Sequence, residues 1–262
     1  MGVECVLSRD VAQSWINRWD RQQETFLADR EERFTALIDA LEAGVGRPDP
    51  LVLDLGSGPG SLAVRLLGRL PQATVVAVDA DPVLLELGRA CYADLPGLRF
   101  VELDLADAGW TGRLDLDRPV DAVVSTTALH WLAPDRLRAL YAEVSTVLRP
   151  GGLLLNGDHF ERADAEPAIA AMERALARRA AERRAGGFPG RRNGEWERWW
   201  RSVAADPVLG ELHARRPATA AHHDSPSGEL AVHVEALRAA GFTEIGTLWQ
   251  HGDDRLLCAV AA

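Results

Sequence analysis

Leu51-Val52-Leu53-Asp54-Leu55-Gly56-Ser57-Gly58-Pro59-Gly60-Ser61 decides how this chain reads. Five residues, apolar except for Asp54, predict a buried strand and run straight into three alternating glycines. Leu62, Ala63, Leu66, Leu67 and Leu70 follow at helical spacing. A strand, a glycine turn and a helix start make a cradle for a nucleotide cofactor. Glycine lets the backbone pass close to a ligand, and the helix start offers unpaired N–H groups.

Outward from this stretch, apolar strands alternate with helical patterns, the signature of βαβ units and a parallel sheet. Strands are expected at Thr74–Val78, ending at Asp79, then at Leu98–Glu102, Val120–Ser125 and Leu153–Asn156. Helices are expected near Ser61–Arg69, over Pro82–Tyr92 and over Pro134–Leu148, with a turn at Arg149-Pro150-Gly151-Gly152. Upstream, residues 8–45 read as helical, with Val11, Trp15, Trp19, Phe26, Phe34, Leu37, Ile38 and Leu41 mostly at steps of three and four. This segment is either a lid over the cofactor or a helix pair that covers the sheet.

Downstream, residues 160–228 break the rhythm and are too long for a simple connection, so a helical cap insertion is expected. It holds a helix over Ala163–Arg184, a loop at Gly186-Gly187-Phe188-Pro189-Gly190, and a further helix beginning at Trp196, Trp199 and Trp200. Residues 229–262 give a helix and a hairpin of Ile245–Gln250 and Arg255–Val260 about Gly252-Asp253-Asp254. The expectation is one domain: an α/β, Rossmann-like, seven-stranded, mostly parallel sheet with helices on both faces and the last strand antiparallel. Residues 50–159 are its cofactor-binding core.

Composition narrows the function classes. The 262 residues have a formal net charge of −10, which argues against a nucleic-acid partner. All 29 basic residues are arginine. Without lysine, Schiff-base chemistry and Walker-type phosphoryl transfer are excluded. Cys5, Cys91 and Cys258 are far apart and have no metal-ligand spacing. No apolar run reaches the roughly 20 residues of a membrane span. The first residues lack the pattern of a signal peptide, and Val6 stands where a myristoylation signal at Gly2 needs Ser or Thr. A cytoplasmic protein without a membrane or metal partner is expected; its oligomeric state is left open.

Two cofactors compete for the cradle. A dinucleotide fingerprint spaces its glycines Gly-x-Gly-x-x-Gly, whereas Gly56, Gly58 and Gly60 put the third glycine one place early. Asp54 would repel a pyrophosphate and suits a cationic amino group, unless it only hydrogen-bonds the glycine turn. Asp54-Leu-Gly56-Ser57-Gly58-Pro-Gly60 resembles the first motif of class I S-adenosylmethionine-dependent methyltransferases, and further motifs follow in order. Asp79, with Ala80 beside it, is similar to the acid that holds both ribose hydroxyls. Asp104-Leu105 resembles the pair at the adenine. Asp121 through Ser125, Thr126, His130 and Trp131 is similar to the fourth-strand motif beside the methionine half, and Leu148–Gly152 to the turn before strand five. The resemblance implies S-adenosylmethionine as cofactor and transfer of a methyl group to a small-molecule acceptor by in-line displacement. A non-methylating or regulatory protein that binds this cofactor stays open as an alternative, as does a nicotinamide-dependent oxidoreductase.

Strand four ends in Ser125-Thr126-Thr127, not in the Asn/Asp-Pro-Pro-aromatic signature of the family's nucleobase and glutamine methylators. That weighs against DNA, RNA or release-factor substrates. A base is needed only where the acceptor carries a tightly held proton. His130, past strand four at the carboxyl edge, is the first candidate, against a histidine that only packs in the pocket wall. Asp158-His159 ends strand five at the same edge. His159 is the weaker candidate, against a helix N-cap and a surface histidine. Trp131 either lines the pocket or belongs to the core. Trp19 and Trp200 are candidate acceptor contacts, on an aromatic underside shared with Trp15, Trp196 and Trp199. His222-His223, without further ligands, reads as a polar loop.

Overall fold

Five consecutive buried residues make β1 (Leu51–Leu55), an interior strand of one seven-stranded sheet. Beside it run β2 (Thr74–Asp79), β3 (Leu98–Glu102), β4 (Val120–Thr126), β5 (Leu148–His159), β6 (Glu244–His251) and β7 (Asp254–Val260). The computed structural model describes residues 7–27, 29–162, 166–184, 192–216 and 228–262. The strand order is β3-β2-β1-β4-β5-β7-β6, with β7 antiparallel to both of its neighbours and the other pairings parallel. The chain leaves β1 for β2 on one side and later returns to place β4 on the other. That reversal opens a crevice beyond the carboxyl ends of β1 and β4.

The helices are α1 (Arg9–Phe26), α2 (Arg30–Val45), α3 (Ser61–Arg69), α4 (Pro82–Tyr92), α5 (Pro134–Val147), α6 (Pro167–Arg184), α7 (Arg192–Ala205), α8 (Leu209–His213) and α9 (Leu230–Ala239). Leu37 and Leu41 of α2 and Leu62, Leu66 and Leu67 of α3 pack on one sheet face with Val52, Val75 and Val124. Leu137, Tyr141 and Val144 of α5 and Leu237 of α9 pack on the other with Leu53, Val76 and Val123. Each buried Leu on these faces stabilises the fold by about 1.5–3 kcal/mol. A third cluster joins α1, α4, α7 and α8 through Trp15, Trp19, Leu84, Trp199, Trp200 and Leu209.

Several expectations need correction. Residues 8–45 form two helices, broken between Phe26 and Arg30, and Val11 lies exposed although its spacing suggested burial. β5 begins at Leu148 and runs to His159, well beyond Leu153–Asn156. Gly151, with φ of 68°, sits inside it where the β4 register shifts between Val120 and Ala122, so the expected turn is a bulge. Within the expected 163–184 helix, α6 starts at Pro167. The Gly186–Gly190 loop, Cys5 and His222-His223 lie outside the described residues. Among the described residues no helix is long and apolar enough to cross a membrane, and no cluster of metal-ligating side chains occurs.

Candidate active site

The glycine turn is built as its spacing demands. Gly56, Gly58 and Gly60 have φ of 69°, 55° and 87°, a region that side chains with a Cβ rarely enter. A Cβ on Gly56 would lie 2.2 Å from the Cβ of Ala128, and one on Gly60 would lie 2.8 Å from the Phe100 ring. At Gly58 the nearest atoms, on Leu84 and Trp19, would be 3.9 Å away, so there only the backbone angle demands glycine. Gly60 caps α3 without any side-chain hydrogen bond, which leaves the helix start to backbone N–H groups alone. The turn is tied to β2 by Gly56 and Ser57, whose N–H groups both donate to the Val78 carbonyl, at 2.8 and 3.0 Å.

Two carboxylates flank the turn. The Gly58 N–H donates to Asp79 Oδ2 at 2.7 Å, and the Asp81 N–H to Asp79 Oδ1 at 2.8 Å. Asp79 therefore braces the glycine turn, the part that the sequence left open for Asp54. Asp54 is buried, and its Oδ2 has no hydrogen-bond partner. Burial, aided by the charge of Asp79, pushes the Asp54 carboxyl up to about 7. Burial likewise pushes Asp79 up to about 6, against the pull of its backbone N–H donors. One buried and one half-buried acid, both with raised pKa, are the electrostatic anomaly of this edge.

The remaining candidates divide. Asp104 and Leu105 follow β3 and are half-buried; Asp104 Oδ1 accepts the Ala106 N–H at 2.8 Å. Ala80 is half-buried beside Asp79. Ser57 is buried in the turn itself. The Ser125 hydroxyl donates to the Leu55 carbonyl at 2.8 Å, so it locks β4 to β1 and is turned into the sheet. Thr126, next along, is half-buried at the strand end. Thr127 then takes a φ of 52°, strained for a β-branched residue, and donates its N–H to the Gly157 carbonyl at 2.9 Å. No sequence signal pointed to that strain.

His130 and Asp158 are brought together from the ends of β4 and β5. His130 Nδ1 lies 2.9 and 2.8 Å from the two Asp158 carboxylate oxygens. Asp158 is 1% exposed, which overturns the helix N-cap reading. Burial alone would raise its pKa; the charge and hydrogen bond of His130, with Arg33 and His159 behind, hold it below the usual range. An ionised carboxylate only accepts, so Nδ1 carries a proton, and in the neutral imidazole Nε2 is then the acceptor nitrogen. The pair was missed because sequence pairs Asp158 with its neighbour His159. His159 instead faces Asp253 at 3.5 Å; burial lowers its pKa, but Asp253 and Asp254 raise it by more.

Trp131 is 40% exposed, its ring 4.8 Å from that of His130, so it does not belong to the core. Trp19 and Trp200 are buried in an aromatic cluster: Trp19 lies 5.0, 5.6 and 6.2 Å from Trp199, Trp196 and Trp200. Asp20, next to Trp19, accepts from the Ser61 hydroxyl at 2.8 Å and from Arg30 at 2.9 Å, which holds α1 against the start of α3. On the other side, Arg216 stacks 3.5 Å over Trp200 and donates to Asp81 at 2.6 Å. α1, α7 and α8 are thus fastened beside the glycine turn.

A mostly parallel sheet in the order 3-2-1-4-5-7-6, with β7 antiparallel and a glycine turn at its switch point, defines a Rossmann-like fold. Residues 52–152 match the sequence model of the family described as "Methyltransferase domain". It is 36% identical over 136 residues to a trans-aconitate 2-methyltransferase of Azoarcus sp., a match covering 52% of this chain and 49% of the relative. To a trans-aconitate 2-methyltransferase of Deinococcus radiodurans it is 38% identical over 118 residues, covering 43% and 41%. The matches therefore span about half or less of these relatives. Among solved structures, an O-methyltransferase family protein from Burkholderia thailandensis shares the fold, with a TM-score of 0.55 at 18% identity over 98% of this chain and 64% of the other.

Proposed function

We propose that this chain is an S-adenosylmethionine-dependent methyltransferase acting on a small-molecule acceptor. The observation that carries this reading is the pair Asp54 and Asp79 about a turn of three positive-φ glycines. The unpartnered Asp54 Oδ2 fits a cationic amino group, and Asp79 fits a diol, since a carboxylate accepts two hydroxyl protons. Neither suits a pyrophosphate, which disfavours a nicotinamide dinucleotide. In this reading Asp54, Ser57 and the backbone of Gly56, Gly58 and Gly60 hold the methionine part, with Thr126 and Ser125 at its border. Asp79 and Ala80 hold the ribose, and Asp104 with Leu105 the adenine.

When bound, S-adenosylmethionine supplies a methyl group already made electrophilic by its sulfonium. The chain then has to hold the acceptor in line, at roughly 3–3.5 Å, and keep water out. His130, oriented by Asp158 through Nδ1, receives the acceptor's proton at Nε2 as the nucleophile attacks. The buried Asp158 carboxylate stabilises the imidazolium so formed. His159 is a reserve candidate. Trp131 lines the acceptor side, and α1 and α7, which carry Trp19 and Trp200, cover the site beside the turn. The residue-level core, cap and hairpin boundaries at 50–159, 160–228 and 229–262 belong to the same proposal.

Calorimetry with S-adenosylmethionine tests the cofactor: saturable binding is expected, and it is lost in Asp79→Ala. The acceptor is found by mass-spectrometric screening for the gain of one methyl in place of a hydrogen. Trans-aconitate, after which the relatives are named, is the first compound to assay. Absence of cofactor binding, or an Asp79→Ala variant that binds as well as the parent, refutes the proposal.

A further inference from the structure

Arg33 is the largest charged side chain that this fold buries outright, at 0% exposure. Its stem crosses the face of Gly157 so closely that a Cβ there would lie 2.8 Å from Arg33 Cδ and 3.1 Å from Nε. Nη1 donates to Asp254 Oδ1 at 2.8 Å, which pairs one arm of the guanidinium. Nε and Nη2, equally sealed from solvent, have no acceptor among the described residues. Those two N–H groups point the same way and form the fork that a carboxylate bridges with two parallel hydrogen bonds. A buried, charged donor pair without an acceptor is rare in folded proteins, because it loses its water and gains nothing in return.

The position of the fork gives it a use. Gly157 is where four features of the carboxyl edge meet. Its Cα face carries Arg33, and its carbonyl takes the N–H of the strained Thr127. Its neighbour Asp158 holds His130, and Asp254, which opens β7, pairs with His159 two residues further on. An acidic group held there would sit at the strand end that also presents the candidate base. Water could fill one direction of the fork, but the planar guanidinium is matched in charge and shape by a carboxylate.

We infer that Arg33 is the anchor for a carboxylate of the acceptor, which makes the acceptor an acidic small molecule; this rests on the methyltransferase reading above. Arg33 touches a group that does not react, so it determines specificity and is not a base. The fork is closed to solvent, so a carboxylate that occupies it must displace the packing around Arg33.

The test uses the full chain labelled with nitrogen-15 arginine, with the Nε–H signal of Arg33 assigned by its loss in Arg33→Lys. Citrate is the probe, and sodium chloride and the uncharged triamide of citrate are the controls. The Arg33 signal is expected to shift saturably with citrate and to stay with chloride and with the triamide. Arg33→Lys, which keeps the charge facing Asp254 but loses the fork, should bind citrate on the order of tenfold more weakly or worse. Its affinity for S-adenosylmethionine should be unchanged. An unmoved signal, an equal shift with chloride (an adventitious ion only), or undiminished citrate binding in Arg33→Lys overturns the inference. If the variant fails to fold, triple-resonance assignment of the Arg33 Nε–H on the parent protein takes its place, and the triamide control then decides the matter. Calorimetry with S-adenosylmethionine on the same sample separates the failures. Cofactor binding with an unmoved Arg33 sinks the anchor alone. Citrate binding through Arg33 without cofactor binding supports the anion site and sinks the methyltransferase reading.

Discussion

Binding of a cation beside Asp54 should expel protons, and the amount is set by the structure. Without a ligand the Asp54 carboxyl lies at about 7 and Asp79 at about 6, both raised first by burial. A carboxylate facing an ammonium or accepting two hydroxyls is held ionised, so both pKa values fall well below 6 in the complex. At pH 6 Asp54 is about nine-tenths protonated before binding and Asp79 about half. The complex should therefore release between about 0.9 and 1.4 protons at pH 6, depending on how fully Asp79 takes part. At pH 8 the release should approach zero. Affinity for S-adenosylmethionine accordingly rises with pH, by about eightfold to 25-fold per unit near pH 6, and levels off above pH 7. Calorimetric titrations in buffers of different ionisation enthalpy read the release directly. Asp54→Asn should remove most of it. A release near zero at pH 6, or a pH-independent affinity, would refute the reading of these two acids as the cation and diol site.

Other consequences are simpler to measure. The same raised carboxyls predict that the ligand-free protein loses stability as pH rises from about 4 through 7, since ionising a buried acid disfavours the folded state. Denaturant titrations should show a flatter profile for Asp54→Asn. His130→Asn and Asp158→Asn should each lower kcat by about 10²–10⁴-fold with cofactor affinity intact, and a kcat within twofold of the parent removes the base from the mechanism. Gly56→Ala combines a forbidden φ with the 2.2 Å approach to Ala128 and should cost about 2–5 kcal/mol, whereas Gly58→Ala, strained in φ alone, should cost about 1–2 kcal/mol. Trp19→Ala and Trp200→Ala should weaken cofactor or acceptor binding. Unchanged affinities for both would show that the aromatic cluster is packing only.

Much of the frame can be read without coordinates, because its signals are local. Leu51–Leu55 is buried on both faces, so it is a nearly unbroken apolar run. Gly56, Gly58 and Gly60 announce the turn because no other residue accepts those angles at low cost. Asp79 is legible for a similar reason: it is the acid that ends an otherwise apolar strand. The seven strands and the final hairpin likewise follow from periodicity and turn residues, with the main error at β5, where a bulge at Gly151 lets the strand continue through a Pro-Gly-Gly segment.

What sequence alone determined is therefore the fold class, the cradle and the kind of cofactor it suits. Tertiary structure decided the chemistry at the edge. His130 and Asp158 are 28 residues apart, and Arg33 and Asp254 are 221 apart, so only the sheet order that sets β4 beside β5 and β5 beside β7 brings them into contact. The strain at Thr127 and the burial of Trp19 likewise depend on neighbours distant in the chain. Periodicity reports what a residue does to its own segment. A charge pair, an orphaned guanidinium fork or a raised carboxyl is a property of two segments packed together, and it exists only once the chain has folded.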